Sequence, residues 1–202
     1  TDSKGNLTVK AKQMIGGILK FAPSLTAFGN TTPVSYLRFI SRKESPAYVC
    51  WGTRNRLALI RIPLWWSFRK DIEGTGSHVR TFEFRAPDPS ANTYLLFAGI
   101  ALAVEYGLKN PKKTMKIAED LNSEKIVKRN RKYKVLPLSC SESAKNLKRD
   151  RNYYELDGVF PKRVTDGIIG KLESYKDGNL QKKLVNNSEK IEELLLQYLN
   201  CG

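Results

Sequence analysis

The sequence predicts an α+β fold on three observations. Short β-rich runs gather between residues 34 and 86, and stretches with helical spacing lie on both sides of them. A chain of 202 residues with 41% hydrophobic and 10% aromatic content can also bury a core. That length fits one domain or two small ones.

Residues 9–28 place Met14, Ile18 and Phe21 near one stripe and are followed by Gly29-Asn30, which predicts one helix ending or bending near Pro23. Runs 34–40, 47–51 and 57–63 read as strands separated by polar turns, and 79–86 alternates Arg80, Phe82 and Phe84 with Thr81, Glu83 and Arg85. Residues 63–79, with their Trp65-Trp66 pair and glycine-containing polar stretch, read as a hairpin excursion. Asp88-Pro89 has the form of a helix start, and 90–107 is apolar nearly all round, predicting a buried helix. Residues 109–134 are lysine-rich and weakly periodic, as in an exposed linker or helix whose charges form a solvated face. Short helices follow at 141–150 and 161–175. A last helix at 189–199 has Ile191, Leu194, Leu195 and Tyr198 on one face behind a Ser188 cap, for packing within the chain or for contact between copies.

Charge is the least ordinary feature. Thirty-five Lys and Arg against twenty Asp and Glu give +15 at pH 7, a surplus that attracts nucleic acid, phosphorylated ligands or an acidic partner. No helix-turn-helix, zinc-finger or aromatic single-strand pattern accompanies it, so no nucleic-acid role is expected. The longest apolar stretches, such as 95–104, are about half the roughly 20 residues a membrane-spanning helix needs, so no membrane association is expected. Residues 7–27 lack the layout of a signal peptide, and Thr1 is not an initiator methionine, as in a trimmed or partial chain. Cys50, Cys140 and Cys201 are far apart and odd in number, which suits a reducing cytoplasm. With His78 the only histidine, a histidine metal cluster and most Ser-His-Asp or Cys-His arrangements are excluded within this chain.

The candidate chemistry lies in the β-rich centre. Alternation puts Glu83 and Arg85 on one face with Thr81 and turns Phe82 and Phe84 to the other. Arg54, Arg56 and Arg61 fall within eight residues, and Arg61 shares a face with Leu57 and Leu59. An arginine at such a core-like position needs an anionic partner, because burying an unpaired charge costs at least several kcal/mol. The residues alone leave two readings open: a structural ion-pair network or an anion site.

Ile15-Gly16-Gly17-Ile18-Leu19-Lys20, Thr32-Pro33-Val34-Ser35-Tyr36-Leu37-Arg38, Arg54-Asn55-Arg56 through Arg61-Ile62-Pro63, and Glu83-Phe84-Arg85 with Pro87-Asp88-Pro89-Ser90-Ala91-Asn92 follow in order. In order and spacing they resemble the C-terminal half of the glutamine synthetase catalytic domain. Leu136-Pro137-Leu138-Ser139 before Ser143-Ala144-Lys145-Asn146-Leu147 is similar to that family's closing helical region, so the resemblance covers roughly residues 13 to 176. It implies a partial glutamine synthetase-like catalytic domain over 1–176 and a helical extension over 177–202. The implied sheet is curved, mostly antiparallel, backed by helices and incomplete, in a family that forms homo-oligomeric rings with shared sites.

The implied activity is ATP-dependent formation of glutamine from glutamate and ammonia via γ-glutamyl phosphate, with ATP and Mg2+ or Mn2+ as cofactors. Position by position, Arg38, Arg56 and Arg85 resemble the arginines that hold glutamate, and Arg56 also reaches the nucleotide phosphates. Arg61 resembles an ATP-phosphate arginine and Glu83 the divalent-metal glutamate. Glu44 matches the flap glutamate that takes a proton from ammonium, and His78 falls where a lysine approaches the nucleotide. Ammonium has no lone pair to attack with, so such a base is chemically required. The sequence departs from the family at Thr81, which replaces an arginine, and at Phe21, which replaces a histidine. Asn122 stands near an adenylylated tyrosine of one subfamily, and 63–79 is longer than usual. The family's N-terminal domain, earlier metal-ligand carboxylates and glycine-and-histidine glutamate segment have no counterpart, so the resemblance implies an incomplete part of the enzyme, inactive alone. A γ-glutamyl-amine ligase of the same fold and a noncatalytic assembly or regulatory relative are the alternatives.

Overall fold

A computed structural model of the chain describes residues 7–41, 45–46, 48–53, 55–63, 81–128, 132, 134–184 and 187–198. The chain divides into two units, the first made of Thr1–Lys20, Glu44–Arg85 and Ala103–Val135, the second of Phe21–Lys43, Ala86–Leu102 and Leu136–Gly202.

In the first unit β1 (Tyr48–Thr53), β2 (Ala58–Ile62) and β3 (Glu83–Phe84) form a three-stranded sheet in that order. β2 pairs antiparallel with β3, whereas β1 and β2 are parallel, so the described sheet is mixed where a mostly antiparallel one was expected. Side-chain alternation, the signal that predicts a strand, carries no direction of pairing. The lysine-rich stretch takes the other edge of β1: Val49 N donates to Lys134 O at 2.8 Å and Trp51 N to Leu121 O at 3.0 Å. It contains α4 (Pro111–Asp120) and α5 (Ser123–Lys128), and Trp51 Nε1 donates to Ala118 O at 2.6 Å. The predicted linker thus closes a strand edge that would otherwise be open. α1 (Val9–Gly29) begins in this unit, and here the glycine pair has a steric purpose. A Cβ at Gly16 would collide with the backbone of Thr114, and one at Gly17 with that of Ala103.

The second unit is helical. α1 runs through Pro23 to Gly29 instead of ending at the proline. Pro23 lacks an N–H, but Ser24 Oγ donates to Phe21 O at 2.9 Å and Thr26 Oγ1 to Pro23 O at 2.7 Å, and both side chains are buried. The strand expected over 34–40 is instead a 3-10 turn (Pro33–Tyr36) leading into α2 (Leu37–Ser41). Pro33 at the first helical position starts the turn. Helical spacing then brings Tyr36 and Phe39 together, both fully buried with ring centroids 6.1 Å apart, a tertiary gain that overrides β propensity.

α3 (Thr93–Lys109) starts after Asn92, whose Oδ1 accepts from Leu95 N at 3.1 Å, and not at Asp88-Pro89. Asp88 closes a turn by accepting from Ser90 N at 2.9 Å and Ser90 Oγ at 2.6 Å. Nor is α3 buried all round: Leu96, Gly99, Ala103 and Gly107 form a buried stripe, while Tyr94 and Phe97 are 88% and 64% exposed. α6 (Cys140–Tyr154) and α7 (Lys162–Ser174) supply much of the core. Phe28, Tyr154 and Phe160 meet ring to ring at 5.0–5.6 Å, and Phe21, the residue in place of a histidine, stacks on Tyr153 at 4.5 Å.

A buried hydroxyl network threads this core. Tyr36 Oη lies 2.7 Å from Ser143 Oγ, which lies 2.7 Å from Thr26 Oγ1, and Tyr154 Oη lies 2.9 Å from Ser24 Oγ. Asp177 caps α6 from outside it, accepting from Cys140 N at 2.8 Å and from Ser141 N and Oγ at 2.9 Å. α8 (Leu180–Leu184) and α9 (Ser188–Gln197) follow, with Asn187 and not Ser188 as the α9 cap. Tyr198 packs on Tyr175 at 6.0 Å, so part of the α9 stripe serves intramolecular packing, while Leu195 and Leu196 stay exposed.

Candidate active site

Four of the predicted site residues come together on the β2–β3 corner of the first unit. Arg61 on β2 lies directly opposite Glu83 on β3 in the antiparallel register. Arg61 Nη2 donates to Glu83 Oε1 at 3.0 Å, and Arg61 Nε lies 2.9 Å from Glu83 Oε2 without hydrogen-bond geometry, so the ion pair rests on one hydrogen bond and close charge contact. The side chains are 33% and 37% exposed, which keeps the pair within reach of solvent and of a ligand. Of the two readings left open by the sequence, the ion pair is the one the structure shows.

Arg85 follows β3 directly. Its backbone N donates to Leu59 O at 3.0 Å, and its Nη1 donates to the carbonyls of Arg56 and Ala58. Arg56 is exposed in the turn before β2. Asn55 shapes that turn, accepting from Leu57 N through Oδ1 at 2.9 Å and from Ala58 N through its carbonyl at 3.3 Å. Its contribution was missed in the sequence, although an asparagine between two arginines ahead of a strand is a turn signal. Among the described residues the corner therefore joins the Arg61–Glu83 ion pair to Arg85 and the turn that carries Arg56.

Arg38 belongs to the second unit. From α2 its Nη2 donates to Pro87 O at 3.0 Å and to Ala86 O, while Asn30 Nδ2 also donates to Ala86 O at 2.8 Å. Arg38 thus braces the segment that leaves β3. Glu44 and His78 lie outside the described residues, as does most of the expected hairpin excursion at 63–79.

Residues 1–175 match the sequence model of the family described as "Glutamine synthetase, catalytic domain". The chain belongs to this family. Glutamine synthetase of Pyrococcus furiosus is 35% identical over 190 residues, which are 93% of this chain and 41% of that protein. Glutamine synthetase of Streptomyces filamentosus is 35% identical over 176 residues, 86% of this chain and 34% of that protein. The chain therefore spans about two-fifths or less of the length of these curated relatives. Among solved structures, a novel glutamine synthase homolog superimposes with a TM-score of 0.70 at 21% identity, over all of this chain and 41% of that one. A glutamine synthetase from Plasmodium falciparum gives 0.68 at 19% identity. These establish a partial α+β catalytic-domain fold of the glutamine synthetase type.

The family implies a divalent cation, and the described residues do not fit one. No group of three or more His, Cys, Asp and Glu side chains gathers among them, and both oxygens of Glu83 lie against Arg61. Mg2+ or Mn2+ needs several oxygen ligands, so a single engaged carboxylate does not make a site. No helix among the described residues is long and apolar enough to cross a membrane.

Proposed function

We propose that this chain carries the arginine-rich part of the active site of an ATP-dependent glutamate–ammonia ligase. The observation that carries the reading is the half-open Arg61–Glu83 pair, with Arg85 bonded to the carbonyl of Arg56 on the adjoining turn, in a member of the glutamine synthetase family. Glutamate and ATP are both anions, so the γ-carboxylate cannot approach the terminal phosphate until positive charge offsets their repulsion. Arg56 and Arg61 serve the phosphates, and Arg56, Arg85 and Arg38 hold glutamate. His78 is a further nucleotide contact. Arg61 exchanges Glu83 for phosphate when the nucleotide binds, a step that the partial exposure of the pair supports.

A carboxylate oxygen bonds to the terminal phosphorus while ADP leaves with the bridging oxygen. Ammonia then bonds to the carbon of the γ-carboxyl group, and phosphate departs with the carboxylate oxygen and the proton that the nitrogen loses. Ammonium must first lose a proton, and Glu44 is the group assigned to accept it. Glu83 stands at the family's metal-ligand position, and its single carboxylate does not by itself hold a divalent cation.

Residues 1–176 form the catalytic part and 177–202 a helical extension, within a cytoplasmic ring of like subunits. The free, buried state of Cys50 and Cys140 supports a reducing compartment.

The test is glutamine formation by the intact protein from ATP and glutamate, with ammonium or small alkylamines as acceptor, in wild type and Arg61→Gln. Ammonium-dependent turnover that falls about 100-fold or more in Arg61→Gln is expected. Turnover only with alkylamines would replace the reading with a γ-glutamyl-amine ligase. No turnover with intact nucleotide binding would replace it with a noncatalytic relative.

A further inference from the structure

The second unit contains a cavity of about 480 Å³ where the end of α1, the turn into α3 and the middle of α7 meet. That volume falls in the range of small-molecule sites. Its walls are tied together without a ligand. Asn92 N donates to Phe28 O at 3.2 Å. Thr31 donates to Ser90 twice, from its N to Oγ at 3.2 Å and from its Oγ1 to the carbonyl at 2.8 Å.

The chemistry of these walls is one-sided. Phe28, Leu95 and Leu172 line the cavity with apolar surface. The acceptors beside them are engaged: Ser90 O by Thr31, Phe28 O by Asn92 N, and Asn92 Oδ1 by Leu95 N at 3.1 Å. Two donors are not. Lys171 is the one charged residue among the described residues that line the cavity, and it is exposed. The acidic residues of its own helix are committed elsewhere, Asp166 to Arg151 at 2.8 Å and Glu173 to Lys148 at 2.6 Å. Lys171 Nζ rests over the Tyr175 ring at 5.9 Å, near the limit of a cation–π contact, and makes no ion pair with a described residue. Asn92, also at the wall, donates through Nδ2 to no described residue.

We infer that this cavity binds a small monocarboxylate with an apolar body. The carboxylate takes its hydrogen bonds from Lys171 Nζ and Asn92 Nδ2, and the body lies against Phe28, Leu95 and Leu172. An ammonium group is a compact single charge with three donors, which balances one carboxylate. A phosphate brings nearly two charges and three acceptor oxygens, more than one ammonium and one amide satisfy. Glutamate does not suit the cavity, because its α-ammonium and second carboxylate would lose water against apolar walls.

The test is calorimetric titration of the full chain with 3-phenylpropionate, 3-phenylpropanol and 2-phenylethyl phosphate, in wild type and three variants. Lys171→Met keeps an apolar stem and removes the charge. Gly167→Leu fills space at the cavity wall, where a Cβ would meet nothing within 4 Å, and leucine favours a helix interior over glycine. Lys162→Met is the control, an exposed lysine of the same helix outside the cavity. Circular dichroism checks that each variant folds, and the acid–alcohol comparison in wild type decides even where one does not. Wild type should bind 3-phenylpropionate about tenfold or more tighter than the alcohol, as a hydrogen bond to a charged group provides. Lys171→Met should abolish that preference, Gly167→Leu should lower carboxylate affinity about tenfold or more, and Lys162→Met should change it less than about threefold. No saturable binding by wild type, equal affinity for acid and alcohol, tighter binding of the phosphate, or losses in the cavity variants no larger than in the control would overturn the proposal.

Discussion

The two units of the chain use polar groups in opposite ways. In the second, hydroxyls and rings are turned inward: Tyr36, Tyr154, Ser24, Thr26 and Ser143 are all buried at 1% exposure or less and bonded to one another. In the first, the informative groups are charged and half-open, as in the Arg61–Glu83 pair. Buried satisfied networks rigidify a core, whereas solvent-reachable charge can exchange a protein partner for a ligand. Loss of a group should therefore show as lost stability in the second unit and as lost binding at the charged corner of the first.

The largest stability loss should come from Tyr154→Ala, which removes a ring packed on Phe28 and Phe160 and one of the two hydrogen bonds of the Ser24 hydroxyl. It should cost about 3–5 kcal/mol in urea denaturation, with Tyr154→Phe nearer 1 kcal/mol.

Next comes alkaline pH. Burial pushes the Cys50 thiol from its ordinary 9.0 up to about 12 and raises the Cys140 thiol as well. Both stay protonated in the fold while the unfolded thiols ionise, so their contribution is complete below about pH 9 and declines as pH rises toward the folded values. Between pH 8 and 10 the two together should remove about 2–3 kcal/mol, read from urea midpoints across that range. Burial also raises Tyr36 and Tyr154, which extends the decline to higher pH.

Asp177→Ala should cost about 1–3 kcal/mol, because it uncaps α6 at Cys140 and Ser141. The smallest effect should be that of Arg61→Gln, within about 1 kcal/mol, since its partner is partly exposed. A larger loss would make the Arg61–Glu83 pair structural and would blur the distinction between the units.

What the sequence revealed follows from range. Alternation over 79–86 is enough to put Glu83 and Arg85 on one face, whereas the close backbone approach at Gly16 and Gly17 is seen only in the structure. Residues 34–40 were read as a strand because local β propensity cannot register Tyr36 meeting Ser143 or Phe39. Asp88-Pro89 looked like a helix start because the same side-chain oxygen that caps a helix can close a turn, and here Ser90 captures it. The run of α1 through Pro23 carries no local signal, since a proline in a helical pattern reads as a stop or bend. At the site, Arg61 was identified as needing an anion, but its pairing with Glu83 depends on a strand register that no single run encodes.

The first unit's arginine corner is proposed to bind phosphate while contributing little to folding. Calorimetric titration of the chain with ATP, in wild type and Arg61→Gln, alongside urea denaturation of the same samples, tests both halves of this proposal. Expected are an ATP affinity reduced about tenfold or more and an unfolding free energy changed by less than about 1 kcal/mol. Unchanged affinity, or an affinity loss matched by loss of the folded state, would contradict it.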